Sequence, residues 1–103
     1  VELREKILSD LKRILAETLS NEDVNVYLFG SWARHTEKQS SDIDIAVEPN
    51  RPLSPSCWID LQDKIEESTI PYHVDLVNLD EASKPLINNI KKEGIIWNDF
   101  KNA

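Results

Sequence analysis

Three aspartates are the residues of this chain best suited to chemistry. Asp42 and Asp44 flank one isoleucine in "DIDIAV", and Asp75 stands between Val74 and Leu76 in "HVDLV". Strands disfavour aspartate, so carboxylates set among apolar neighbours need an account beyond folding. On extended backbone, side chains alternate faces. Asp42 and Asp44 therefore project to one side with Cα atoms roughly 7 Å apart, and Ile43 and Ile45 project to the other. Two such carboxylates repel unless a cation lies between them. Their oxygens are hard ligands, suited to Mg²⁺ or Mn²⁺ rather than zinc. With Asp75 on a neighbouring strand, one face could carry three acids and hold two metal ions about 4 Å apart, the arrangement used for in-line displacement at phosphorus. The same pair also fits an edge strand turned to solvent, and Asp75 alone fits a surface strand residue. A calcium loop is disfavoured, because Ile45, Ala46 and Val47 stand where further oxygen ligands and a glycine are needed.

Upstream, Gly30 and Ser31 are followed by ten residues and then Asp42. Glycine permits close approach of backbone to a ligand, and a helix opening there would present free N–H groups to phosphate oxygens. Ser31 adds a hydroxyl, and Arg34, one turn on, adds a positive group within reach of the same phosphates. A plain helix start explains Gly-Ser equally. Neither a Walker loop nor a dinucleotide fingerprint is present, since Gly94 is the only other glycine.

Around these residues the hydrophobic pattern predicts α-β-(α)-β-α-β-α, an α/β layer arrangement. Residues 2–19 read as an amphipathic helix through Leu3, Ile7, Leu8, Leu11, Ile14, Leu15 and Leu19. "VNVYLF", 24–29, reads as a buried strand ending at Gly30, and residues 31–36 as a short helix with Ser31 as N-cap. Strands follow at 42–48 and 72–78, separated by a proline-rich connection and a helix over 56–68 carrying Trp58, Leu61 and Ile65. A last helix spans 83–93, capped by Ser83 and stopped by Gly94, and 95–97 reads as a short final strand.

The 103 residues fit a single domain, 1–103. Forty per cent hydrophobic and 30 % charged residues describe a globular chain rather than a disordered one. A net charge of −7 argues against binding free nucleic acid and for a basic protein partner or a metal-bridged anion. The lone Cys57, without signal peptide or membrane-length apolar run, points to the cytoplasm.

"GSWARHTEKQSSDIDIAV" followed by "HVDLVN" resembles the nucleotidyltransferase superfamily that includes DNA polymerase β, most closely its minimal nucleotidyltransferase (MNT) branch. The resemblance implies a small mixed sheet with helices packed on it. It implies a nucleoside triphosphate, ATP by expectation, held by Gly30, Ser31 and Arg34. It makes Asp42, Asp44 and Asp75 both catalytic residues and ligands of two Mg²⁺ ions, with Mn²⁺ as alternative. Minimal members commonly act as antitoxins of HEPN-family toxins, some by transferring AMP to a toxin tyrosine, so a HEPN partner is expected to complete the acceptor site. Two other functions stay open: a stand-alone enzyme acting on a small molecule such as an aminoglycoside, and a non-catalytic protein that occludes the toxin. His35 stands where many relatives have glycine. Trp32 could stack on a base or pack, and His73 could meet phosphate or acceptor or simply be solvated. Trp58 and Trp97 read as core or interface.

Overall fold

A computed structural model describes residues 3–97 and 100–102. Helix α1, Leu3–Leu19, turns Ile7, Leu11, Ile14, Leu15 and Leu19 inward, as its three- and four-residue spacing requires. Leu3 breaks the expected stripe and is 66 % exposed. Strand β1, Val24–Phe29, runs straight into a four-residue helix α2, Gly30–Ala33. Strand β2 is Ile43–Pro49, helix α3 Pro55–Glu66, strand β3 Val74–Asn78, helix α4 Lys84–Glu93 and strand β4 Ile95–Ile96. A 3₁₀ turn over Phe100–Asn102, which the sequence pattern does not announce, packs against α1.

The sheet is mixed, in the order β3-β2-β1-β4. β1 pairs antiparallel with β2 and with β4, whereas β2 and β3 run parallel with α3 as their crossover. One face carries Val26, Leu28, Ile43, Ile45, Val47 and Val74 into the main core under α1 and α3. The other carries Tyr27 and Ala46 against Ile90 of α4 and Leu79. The helix α4 covers only part of this second face, and the part it leaves open holds the acids. No helix among the described residues is long and apolar enough to cross a membrane.

Local chemistry accounts for most boundaries. The Ser54 hydroxyl accepts from the Cys57 N–H and the Ser83 hydroxyl from the Leu86 N–H, each with a proline in the first turn behind it. Gly94 ends α4 as expected, but in extended conformation rather than the left-handed form. Its missing side chain has another purpose, because a Cβ there would lie 2.5 Å from the Ile90 carbonyl and 3.2 Å from that of Leu28. Ser31 is not the N-cap of α2. Phe29 occupies that position, and Gly30 makes the turn, so Ser31 is already inside the helix. The helix stops at Ala33 rather than near residue 36 because His35 adopts a left-handed φ of 58°.

Candidate functional site

The pairing of Phe29 with Asp44 brings the end of β1 alongside the first residues of β2. Gly30, next along, has φ +73° and faces the Asp44 side chain so closely that a Cβ would fall 2.1 Å from Oδ2. Glycine is therefore needed twice over, for its backbone and for its lack of bulk. From there the chain winds through α2, with the Arg34 N–H donating to the Gly30 carbonyl at 3.2 Å and the Thr36 N–H to the Ser31 carbonyl at 2.9 Å. Ser31 is half-buried and Arg34 exposed.

On its other side, β2 pairs Asp44 directly with Asp75 in parallel register. Both side chains project to the open face, since their neighbours Ile43, Ile45, Val74 and Leu76 face the main core. Asp42 lies just ahead of β2, not within it as expected, and is exposed. Burial pushes the Asp44 carboxyl above its ordinary pKa, and the charges of Asp75 and Asp42 push it further, while Arg34 and His73 pull against them. Two carboxylates, one guanidinium and one imidazole thus act electrostatically on a single aspartate. Trp32, expected either to stack on a base or to pack, is 2 % exposed. Its ring meets Tyr72 edge-on at 5.0 Å, and its Nε1–H reaches the Ser41 carbonyl at 3.5 Å. It packs.

Among the described residues, no hydrogen bond or ion pair engages the carboxylates of Asp42, Asp44 or Asp75. Nor do any three His, Cys, Asp or Glu side chains there converge into a ready-made metal cage. The acids nevertheless suit a divalent cation: they are hard oxygen donors, unpaired, mutually repelling at Asp44, and open to solvent. Asp75 and His73 also border a groove of about 340 Å³ between β3 and α3.

Sequence reasoning missed Arg4. Its Nε donates to Glu37 Oε2 at 3.1 Å, its Nη2 donates to the Trp32 carbonyl, and its guanidinium lies 5.7 Å from the Trp32 ring. Helix α1 thereby anchors both α2 and the loop that follows it. The partners are 33 positions apart, and no periodic signal links them.

The profile of the Polymerase beta, Nucleotidyltransferase family matches residues 6–99. The chain belongs to this family. Its members are typically metal-dependent. This nucleotidyltransferase is 30 % identical over 92 residues to MJ1217 of Methanocaldococcus jannaschii, a protein named as an adenylyltransferase, covering 89 % of this chain and 91 % of that one. Its fold matches a chain in the crystal structure of a toxin–antitoxin with AMP-PNP at a TM-score of 0.66 and 31 % identity, over 84 % of this chain and 72 % of the other. A second match, at TM-score 0.65 and 26 % identity, is to the complex of a tri-AMPylated Shewanella oneidensis HEPN toxin with its MNT antitoxin, over 92 % of this chain and 72 % of that one.

Proposed function

We propose that this nucleotidyltransferase is a protein adenylyltransferase that moves AMP from ATP to a hydroxyl, a tyrosine of a HEPN-family toxin, and so acts as the antitoxin. The observation that carries the reading is Asp44. It is left unpaired, it is pressed by Asp75 and Asp42, and it is crossed at contact distance by Gly30. A carboxylate placed there for stability would have partners. The relatives supply the acceptor class, through a protein named as an adenylyltransferase, a complex with AMP-PNP and an AMPylated HEPN toxin.

In this reading the Gly30 backbone and the Ser31 hydroxyl lie against the triphosphate, and the Arg34 guanidinium offsets its charge. Asp42, Asp44 and Asp75 would hold two Mg²⁺ ions, or Mn²⁺, which when bound supply charge neutralisation at the triphosphate and a lowered pKa at the attacking hydroxyl. Asp75, on the exposed edge strand, orients that hydroxyl and accepts its proton. The acceptor oxygen forms a bond to the α-phosphorus as the bond to the bridging oxygen breaks, and pyrophosphate leaves with the electron pair. The test is to mix the purified chain, Mg-ATP and the cognate HEPN protein and weigh the products. A mass gain of one or more AMP units on the HEPN protein, lost in Asp42→Asn and Asp44→Asn, is expected. An unmodified HEPN protein would end the reading.

A further inference from the structure

β3 is an edge strand, with β2 on one side and, among the described residues, no strand on the other. The Ile43 N–H donates to the His73 carbonyl and the Leu79 N–H to the Val47 carbonyl, so odd-numbered residues of this segment point their backbone groups at β2. Val74, Leu76 and Asn78 consequently turn their N–H groups outward, away from the sheet. Along this edge lie two cavities that share Gln62 and Leu76: the groove of about 340 Å³ beginning at His73 and Asp75, and a larger one of about 630 Å³ beneath Leu53, Trp58 and Ile59. The two adjoin at Gln62 and Leu76, so the seam between α3 and β3 is a trough in two parts whose upper end reaches Asp75 of the candidate site. Ile59 is 58 % exposed at its rim. Among the described residues, the charged ones lining it are Glu66, Asp75, Asp80 and Glu81, with no lysine or arginine. A free strand edge is a template for a further strand, and an unguarded one is otherwise a liability. A one-signed charged wall selects what is added.

We infer that this trough receives an extended, lysine- and arginine-rich segment of the protein acceptor, which pairs with the outer edge of β3, seats an apolar side chain beside Trp58 and Ile59, and delivers its hydroxyl to Asp75. The inference rests on the protein-acceptor reading above and adds the surface and the chemistry by which the acceptor is chosen. Main-chain pairing supplies affinity in this mode, and the alternate side chains supply specificity.

The test uses the whole chain and two short tyrosine-bearing peptides of equal length, one rich in lysine and arginine, the other in aspartate and glutamate. The basic peptide should slow amide exchange at Val74, Leu76 and Asn78, and the acidic one should not. Asp80→Lys with Glu81→Lys, both on exposed residues, should weaken that binding about tenfold or more, as should Ile59→Arg, which obstructs the apolar end. Nucleotide binding should be unchanged in these variants. Exchange at the three amides that ignores the peptide, or affinity that ignores the substitutions, overturns the inference. Protection that rises with protein concentration alone also overturns it, because a second copy would then be the occupant. Docking at β3 without AMP transfer would sink the adenylyltransferase reading and leave the surface. Modification of the HEPN protein at unchanged KM in the charge variants would do the reverse.

Discussion

Asp44 and Glu48 stand four residues apart on the same face of β2, each partly buried, and their surroundings treat them in opposite ways. Burial alone would raise both. At Glu48 it is outweighed: one oxygen accepts from Asn25 Nδ2 and from the Tyr27 hydroxyl, each at 3.0 Å, and the other pairs with Lys91 at 2.5 Å. The carboxyl ends below its ordinary pKa. At Asp44 burial is reinforced by two further carboxylates, and the pKa ends above. One acid closes the seam between sheet and α4; the other is held at a cost to the fold. The difference separates a carboxylate that stabilises from one kept available for a ligand.

The sharpest way to break this contrast is Asp44→Asn, which should lower AMP transfer by about a thousand-fold, several kcal/mol at roughly 1.4 kcal/mol per tenfold. The same change should raise the melting temperature at neutral pH, measured by thermal unfolding. Gly30→Ala should come next, costing about 2–3 kcal/mol in denaturant unfolding from its left-handed backbone and the contact with Asp44. Part of that loss should return in the double variant Gly30→Ala with Asp44→Ala, which removes the obstructing carboxylate. Glu48→Ala should cost about 1–2 kcal/mol by leaving the part-buried Tyr27 hydroxyl without its acceptor, with transfer rates unchanged.

The two acids should also divide the pH response. Glu48 has a lowered folded pKa, so its stabilisation is present above the ordinary carboxylate range and is lost as pH falls through the folded value. Asp44 has a raised folded pKa, so it destabilises above that value and ceases to do so below the ordinary range. The thermal advantage of Asp44→Asn should therefore vanish in acid, while Glu48→Gln should flatten the acid limb of the stability curve. An Asp44→Asn advantage independent of pH would remove the electrostatic account. The smallest effect belongs to His35→Gly. Relief of a left-handed φ, about 1–2 kcal/mol, is offset by the backbone entropy of glycine, about 0.5–1 kcal/mol, leaving a net gain between zero and about 1.5 kcal/mol.

The contrast also marks what a linear reading can reach. Val24–Phe29 was legible to the residue because a β-branched and aromatic run ends at a glycine, and α1 because seven apolar positions keep helical spacing. Gly30, Asp42, Asp44 and Asp75 were legible as residue types at suggestive spacing. That Asp44 stands directly beside Asp75 was not, since the register of a parallel pair depends on how its crossover packs. Whether Trp32 faces a ligand or the core was equally open, because a four-residue helix has too few turns to show a face. Arg4 and the Tyr27–Glu48–Lys91 set join residues from separate elements. Only packing reveals such groups.

Gly30 meets Asp44 because the strands on which they sit are paired, not because of the residues that join them. The stems of that connection are tied down as well, Glu37 to Arg4 and Ser41 to the Trp32 ring nitrogen, while Lys38, Gln39 and Ser40 at its tip are exposed. Lys38 and Ser41 close the turn, the Ser41 N–H donating to the Lys38 carbonyl at 3.0 Å and the Lys38 N–H to the Ser41 hydroxyl at 2.9 Å, so the exposed Gln39–Ser40 step between them is the place to add or cut chain. A tag, a fluorophore or a new pair of termini placed there would leave the acids where they are, which makes this loop the natural handle by which to hold the protein while its chemistry is watched.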